Sequence, residues 1–270
     1  MTTAEFAAGT RFLRPRRDEG GTRPRFWDAV GAIFSGQVAR ARPAAIPIFL
    51  AATMQSAGLV VLLKGLVATN DAVTVQSVVS GSAVTVVSFV ALNLLAQRFG
   101  LLKATDALDY FGALPIPPAA LVMGVAAAWS ALTVPGSLLV AVGGALFYGL
   151  PLAHVWVIVP AVVLAGVALA GFGAIIGLLA PSQEIATIAG QLGMALVMFF
   201  GLVPSERLPE LLRVIRVIIP STYAVDAFSE ALRHRPNWMV IGVDLGVCVG
   251  VAILVLACAT VAYRSAIRRR

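Results

Sequence analysis

Residues that could support acid–base, nucleotide or metal chemistry are scarce in this chain. Its only lysines are Lys64 and Lys103, and neither follows a G-x-x-x-x-G-K-[ST] loop, which would hold nucleotide phosphates. Its two histidines, His154 and His234, lie far apart in sequence and outside any cluster with metal-ligand spacing. We therefore expect no catalytic residue, no metal site and no bound cofactor in this chain.

Asp244 is the only acidic residue well inside a long apolar run. An ionisable side chain at membrane depth is costly and often marks a functional site. Asp244 is close to the start of its run, however, so it could also reach the membrane surface or pair with Arg233 or Arg235. The sequence leaves both interpretations open.

Composition places these residues in a membrane protein. The chain is 59% hydrophobic and 12% charged, with a mean hydropathy of +0.92, whereas soluble domains carry about 25% charged residues. Its pI of about 10.2 would suit a nucleic-acid-binding protein. The basic residues instead lie at the ends of apolar runs, as the positive-inside rule describes. We predict a protein of the lipid bilayer with no nucleic-acid partner.

Six apolar runs are long enough to cross a hydrocarbon core of about 30 Å. The predicted spans are residues 44–63, 73–96, 119–142, 156–179, 185–203 and 239–262. Most basic residues lie before span one, between spans two and three, and after span six, which predicts cytoplasmic termini in the inner or plasma membrane. The predicted fold class is an all-α polytopic membrane protein with six transmembrane helices.

The segments that flank this transmembrane domain, residues 43–263, differ in composition. Residues 1–25 and 264–270 are predicted to be basic cytoplasmic tails, the first of them disordered. Residues 26–42 have the spacing of an amphipathic helix, either at the membrane interface or packed on the protein. Pro43 and Pro47 are expected to mark the start of span one.

Some spans carry small or polar residues that predict helix contacts. Span four has glycines at four-residue spacing, which allows close approach of helices, and span six has the same spacing at Gly242, Gly246 and Gly250. Polar side chains in hydrocarbon need partners, either neighbouring helices or a substrate pathway. The candidate pathway residues are Gln76, Ser80 and Thr85 in span two and Gln191 in span five.

Residues 204–238, between spans five and six, are too polar to span a membrane and too apolar for a soluble loop. The first part is amphipathic, and Arg216 lies with other charged residues on its polar face. Pro220 divides it from a second part, for which Ser221 is the predicted N-cap. We predict an extracytoplasmic re-entrant helical hairpin; the alternative is a pair of interfacial helices that only pack.

The same segment resembles the hallmark region of ABC-2 family transporter permeases, in the branch of daunorubicin-resistance-type drug and lipid exporters. The positions that carry the resemblance are Gly201, Pro204, Leu208, Pro209, Pro220, Thr222, Tyr223, Asp226, Leu232 and Arg233. Six spans and a basic N-terminal helix agree with it. The resemblance implies a type V ABC exporter-like fold in which residues 204–238 form the outer hairpin.

The resemblance also gives the cytoplasmic loop 97–118 the role of a coupling segment. Such a segment docks on a separate ATP-binding cassette subunit, which would hold ATP and magnesium. The candidate coupling residues are Lys103, Asp106, Asp109, Tyr110 and Phe111. The family's usual glutamate–arginine start is reduced here to Gln97 and Arg98. A second permease copy, identical or a related paralogue, would complete the pathway.

The function implied is the membrane subunit of an ATP-driven exporter for an amphipathic drug, lipid or similar substrate. A polysaccharide or teichoic-acid exporter is the first alternative, but it would need a wide canal lined with aromatics, and aromatic residues in the spans are few. An ion-coupled secondary transporter would place several acids at mid-membrane, where this chain has only Asp244. Composition also leaves a membrane protein with no transport role open.

Overall fold

Long helices make up nearly all of the chain that the structure describes. The computed structural model describes residues 25–66, 71–105, 116–204, 209, 210, 212, 214, 216 and 219–268. Six helices in these ranges are long and apolar enough to cross a membrane, and the described residues form no β-strand. The predicted all-α fold with six transmembrane helices is therefore confirmed.

The described part of the chain contains the six spans and one short helix. They are α1 (Phe26–Leu66), α2 (Ala72–Ala104), α3 (Pro118–Tyr148), α4 (Ile158–Leu179), α5 (Gln183–Leu202), the short α6 (Pro220–Ala231), and α7 (Trp238–Arg268), which is the sixth span. A 3₁₀ turn, Val155–Val157, precedes α4.

Two lysine contacts show how the helix ends are arranged. Near the end of α1, Lys64 Nζ donates to the Phe147 carbonyl, near the end of α3, at 2.9 Å. At the other end of the bundle, Lys103 near the end of α2 contacts the end of α4. Successive spans therefore run antiparallel. We call the end where α5 ends and α7 begins the hairpin end, and the end where α2 ends and α3 begins the loop end.

α2 and α4 form the centre of the bundle. In the most apolar stretch of α2, 89% of the residues are buried, and in that of α4, 61% are. The same fraction is only 22% for α1, 28% for α5 and 33% for α7. The apolar faces that these three helices expose are surfaces that lipid or another chain would cover.

Glycines let the central helices approach to backbone contact. A Cβ atom added to Gly177 on α4 would lie 2.5 Å from the carbonyl oxygen of Ala96 on α2. One added to Gly81 on α2 would lie 2.3 Å from the carbonyl oxygen of Gly201 on α5. Close approach of this kind is what small residues give to membrane helices.

The boundary predicted at Pro43 is not a break in the structure, because α1 continues through Pro43 and Pro47. Proline removes one backbone hydrogen bond, and membrane helices tolerate this when neighbouring groups satisfy the freed carbonyl. At 1.5 Å per residue, the 41 residues of α1 extend over about 60 Å, twice the hydrocarbon thickness. Part of α1 must lie outside the hydrocarbon or strongly tilted, and the interfacial position of residues 26–42 stays a prediction.

Two other predicted boundaries also shift because helices continue past them. The loop predicted to start at Gln97 is helical as far as Ala104, since Phe99 and Gly100 are buried against α4 and α5. The tail predicted to start at Arg264 continues α7 to Arg268. Residues 1–24 of the predicted N-terminal tail lie outside the described residues.

Candidate functional site at the hairpin end

The short helix α6 begins at Pro220 because the proline fits the first helical position. Its fixed φ suits a helix, and the N–H that it lacks would have no partner there. Ile219 is the N-cap, with extended backbone, so the prediction of Ser221 as N-cap is wrong. Ala224, Ala227 and Phe228 are fully buried and fix α6 against the bundle.

A buried arginine ties the segment before α6 to its neighbours. Arg216 is 7% exposed, and its Nη2 donates to Asp226 Oδ1 on α6 at 2.6 Å. Its Nε donates to the carbonyl of Phe200 at 3.4 Å. That carbonyl lies in the last turn of α5, where carbonyls lack intrahelical partners. One guanidinium group thus joins the end of α5 to α6.

Thr222 and Tyr223 follow in the first turn of α6. Thr222 Oγ1 lies within hydrogen-bond distance of the carbonyls of Ile219, at 2.6 Å, and Arg216, at 3.0 Å. Burial raises the pKa of the Tyr223 phenol above its usual value, and the carboxylates of Asp244 and Asp226 raise it further. Tyr223 is therefore a neutral phenol at physiological pH.

A polar cavity of about 270 Å³ lies beside the ion pair. The starts of α2 and α7, the residues after α5, and α6 enclose it. Its lining consists of Val73, Gln76, Ser77, Pro204, Asp226, Ser229, Glu230, Arg233, Val240 and Asp244. The hairpin end therefore combines side chains that are distant in sequence.

Asp244 lies in this cavity and does not form either of the ion pairs considered from the sequence. Arg233 pairs with Glu230 at 3.0 Å, and Glu230 Oε1 also accepts from the backbone N–H of Asn237, at the start of α7, at 3.1 Å. Within the described part of the chain, Asp244 has no ion pair, and its buried Oδ2 has no hydrogen-bond partner.

Aromatic residues mark the membrane surface at the hairpin end. The rings of Trp156 and Trp238 stack with centroids 6.0 Å apart, and His154 packs edge-on against Trp238 at 5.2 Å. Both tryptophans are about half exposed. Tryptophans are enriched at membrane–water interfaces, so we expect the start of α7 to lie near the level of the lipid head groups.

A family model described as ABC-2 type transporter matches residues 35–232, from within α1 to the end of α6. The chain belongs to the ABC-2 type transporter family. The match confirms the resemblance to ABC-2 permeases and makes the protein a multi-pass membrane permease, whereas the branch of drug and lipid exporters stays a prediction. A comparison with curated proteins finds no match. Asp244 and the rest of α7 lie beyond the matched residues.

The hairpin residues predicted for this ABC-2 permease are mostly brought together. Pro204 and Asp226 line the cavity, and Thr222 and Tyr223 share α6 with Asp226. Pro220 is buried where α6 begins, whereas Pro209 is exposed. How deeply the segment enters the membrane stays a prediction.

The four candidate pathway residues of the permease lie in three different environments. Gln76 lines the polar cavity. Ser80 and Thr85 are buried within the chain. Thr85 Oγ1 donates to the Gly81 carbonyl at 2.8 Å, which suits the interpretation of internal hydrogen bonding, whereas Ser80 Oγ bonds to no described residue. Gln191 lies on the exposed face of α5. Their role in transport stays a prediction.

Of the candidate coupling residues of the permease, the structure describes Lys103. Its Nζ donates to the carbonyls of Leu178 at 3.0 Å and Ala180 at 2.7 Å. These carbonyls end α4, where a basic side chain is favourable. The other four candidates, Asp106, Asp109, Tyr110 and Phe111, lie outside the described residues.

Sequence reasoning missed Arg216, Ser229 and Glu230 as site residues of the permease. Helical periodicity put Arg216 on a solvated face, whereas the structure buries it against Asp226. The available signal was its isolation in the apolar run V-I-R-V-I-I, ten residues before the hallmark acid Asp226. A charge in such a run needs a partner.

Proposed function

We propose that this permease is the membrane subunit of an ATP-driven exporter. It works with a separate ATP-binding cassette subunit and a second permease copy, in the inner or plasma membrane. Its substrate is an amphipathic drug, lipid or similar molecule. The observation that carries this proposal, besides the family, is a polar residue on an apolar helix face that the described part of the chain leaves uncovered.

That residue is Gln191, close to the middle of α5. Ile188, Leu192, Leu196 and Phe199 are exposed on the same face. A primary amide at this depth would be in hydrocarbon if lipid covered the face, and unsatisfied amides there are unfavourable. A second copy or a substrate pathway between two copies would give the amide a partner.

The proposed orientation rests on the basic residues. They concentrate at the loop end and in the segments that continue from it, which favours the cytoplasmic side for that end. The hairpin end then faces outward. Lys103 holds the ends of α2 and α4 together at the loop end, where force from an ATPase subunit bound to residues 97–118 would enter.

An amphipathic substrate is favoured over a polysaccharide by the surfaces that the helices present. From Ile185 to the end of α5, the exposed face is aliphatic apart from Gln191 and Phe199. It lacks the row of aromatic rings on which sugars stack. Lateral entry from the lipid phase along such a face suits a molecule with an alkyl or acyl portion.

Cross-linking in native membranes tests the second copy and the role of α5. Leu192→Cys, made in a Cys258→Ser background because Cys258 is exposed, should give a covalent dimer of this chain with a short bis-maleimide. Ile253→Cys, on the exposed face of α7, is the matched control and should stay monomeric. Equal cross-linking at both positions would count against α5 as the interface.

The ATPase partner and the pathway are tested on the complex purified through a tag on this chain. We expect an ATP-binding cassette subunit to co-purify, and we expect Gln191→Leu to lower substrate-stimulated ATP hydrolysis without loss of that subunit. Ala195→Leu, on the same exposed face of α5, controls for bulk. Absence of any ATPase from the purified complex would reject the proposal.

A further inference from the structure

The polar cavity at the hairpin end contains one carboxylate that forms no ion pair with a described residue. Asp226 pairs with Arg216 at 2.6 Å, and Glu230 pairs with Arg233 at 3.0 Å. Asp244 remains, with Oδ2 buried and without a hydrogen bond. Three carboxylates against two guanidinium groups leave this part of the described structure with an excess of one negative charge.

Neutral polar groups in the same cavity also lack partners. Gln76 is 9% exposed and Ser77 is 8% exposed, and neither side chain bonds to a described residue. Ser229 Oγ is buried without a hydrogen bond. Buried polar atoms in proteins are nearly always paired, so the Ser229 hydroxyl calls for an explanation such as a bound molecule. The polar atoms of Gln76 and Ser77 are open to the cavity. These three side chains belong to α2 and α6, so the observation is independent of Asp244 on α7.

The size and chemistry of the cavity point to a small organic cation. Pockets for drug-sized ligands measure about 300–1,000 Å³, so a cavity of about 270 Å³ suits a head group rather than a whole molecule. A metal ion fits less well, because the described residues contain no group of three His, Cys, Asp or Glu side chains placed to hold one. An ammonium group offers N–H donors to a carboxylate, an amide oxygen and hydroxyls together.

The position of the cavity makes it accessible from the membrane surface. Asp244 lies six residues after Trp238, which is about 9 Å along α7, just below the level that the tryptophan pair marks. Arg233, which lines the cavity, has a side chain that is 47% exposed. Val240, also in the lining, is 41% exposed, and it continues the cavity into the apolar outer surface of α7.

We propose that this cavity binds the ammonium head group of a membrane-partitioned amine. Asp244 is the counter-ion, and Gln76, Ser77 and Ser229 are hydrogen-bond partners. The alkyl or acyl chain of the ligand lies along the apolar surface that begins at Val240. Phosphatidylethanolamine and a free amphipathic amine share this chemistry. The permease would bind this ligand without an ATPase subunit, so binding can be tested separately from ATP-driven export.

Binding to the purified full-length chain in detergent tests the proposal. Dodecylamine should bind with saturation, measured by isothermal titration calorimetry, and dodecanol, which has the same alkyl chain without charge, should bind at least about tenfold more weakly. Native mass spectrometry tests whether a lipid binds. The protein should retain phosphatidylethanolamine in preference to phosphatidylglycerol with the same acyl chains. Preferential retention of phosphatidylethanolamine would identify a lipid as the ligand, and preferential binding of dodecylamine would identify a free amine. If the protein shows neither preference, the proposal is wrong.

Paired carboxylate variants identify the counter-ion. Asp244→Asn keeps the shape of the side chain and should weaken amine binding at least about tenfold, with a melting temperature close to that of the parent. Glu184→Gln removes the same charge from an exposed position at the loop end and should leave binding unchanged. Gln76→Leu should weaken binding by a smaller factor. If Asp244→Asn binds the amine as the parent does, Asp244 is only structural and the site is rejected.

Discussion

The helices α4 and α7 carry glycines at the same four-residue spacing but in opposite surroundings. Cβ atoms added to Gly173 and Gly177 on α4 would lie 2.6 Å and 2.5 Å from carbonyl oxygens of α2. Cβ atoms added to Gly242, Gly246 or Gly250 on α7 would meet no atom of a described residue within 4 Å. The spacing of glycines therefore indicates that close contact is possible, and the position of the helix in the bundle decides whether contact occurs.

The largest expected effect is at Gly177, where the new methyl group would meet backbone. Alanine gains up to about 1 kcal/mol in helix propensity. Overpacking costs about 1–3 kcal/mol and occasionally more, and here the cost should exceed that range, because neither the Ala96 carbonyl nor the Phe99 Cβ can move aside. We expect Gly177→Ala to lower the melting temperature in detergent clearly. An unchanged melting temperature would mean that α2 and α4 are less closely packed than described.

The next largest effect on stability is expected at Cys248, on the buried side of α7, and it should exceed the effect at Cys258, on the exposed side. Cys248 is fully buried, with Sγ 3.5 Å from the Pro220 carbonyl oxygen of α6, whereas Cys258 is exposed. Cys248→Leu should destabilise the protein by about 1–3 kcal/mol through overpacking, and Cys258→Leu should change it by less than about 0.5 kcal/mol. Thermal unfolding of the two variants side by side provides the comparison, and equal losses would contradict a one-sided α7.

A smaller effect is expected at the loop end of α4. Lys103→Met keeps the length of the side chain and removes the two hydrogen bonds to the Leu178 and Ala180 carbonyls. Loss of such bonds from a charged donor costs about 1.5–3 kcal/mol each when buried, and less here because Lys103 is only partly buried. We expect faster amide hydrogen exchange at the end of α4. Lys64→Met, at the opposite end of the bundle, is the matched control and should leave that exchange unchanged.

The smallest effect should come from the glycines of α7. Gly246→Ala places a methyl group in open space, so helix propensity is the main contribution and stability should stay equal or rise by up to about 1 kcal/mol. The measurement is the melting temperature of the isolated chain in detergent. A decrease similar to that of Gly177→Ala would remove the distinction between the two helices.

The same distinction explains what the sequence could predict. Apolar length alone located all six spans, because the thickness of the hydrocarbon core sets the length of each span. Local rules failed where longer-range contacts decide: α1 continues through Pro43, and the N-cap of α6 is Ile219 rather than Ser221. The sequence could not predict the cavity, because Asp244 and Gln76 are brought together only by the packing of α2, α6 and α7.

The burial of α2 has a consequence for the order in which the protein is assembled. The ribosome makes α2 before α4 and α5, so its hydroxyl groups enter the membrane before the helices that will cover them. Thr85 and Ser88 donate to the carbonyls of Gly81 and Val84, four residues earlier in α2 itself. These two hydroxyls are satisfied without any neighbour, so they add little to the cost of holding α2 in lipid before its partners are synthesised, whereas Ser80 and Ser82 make no such bond.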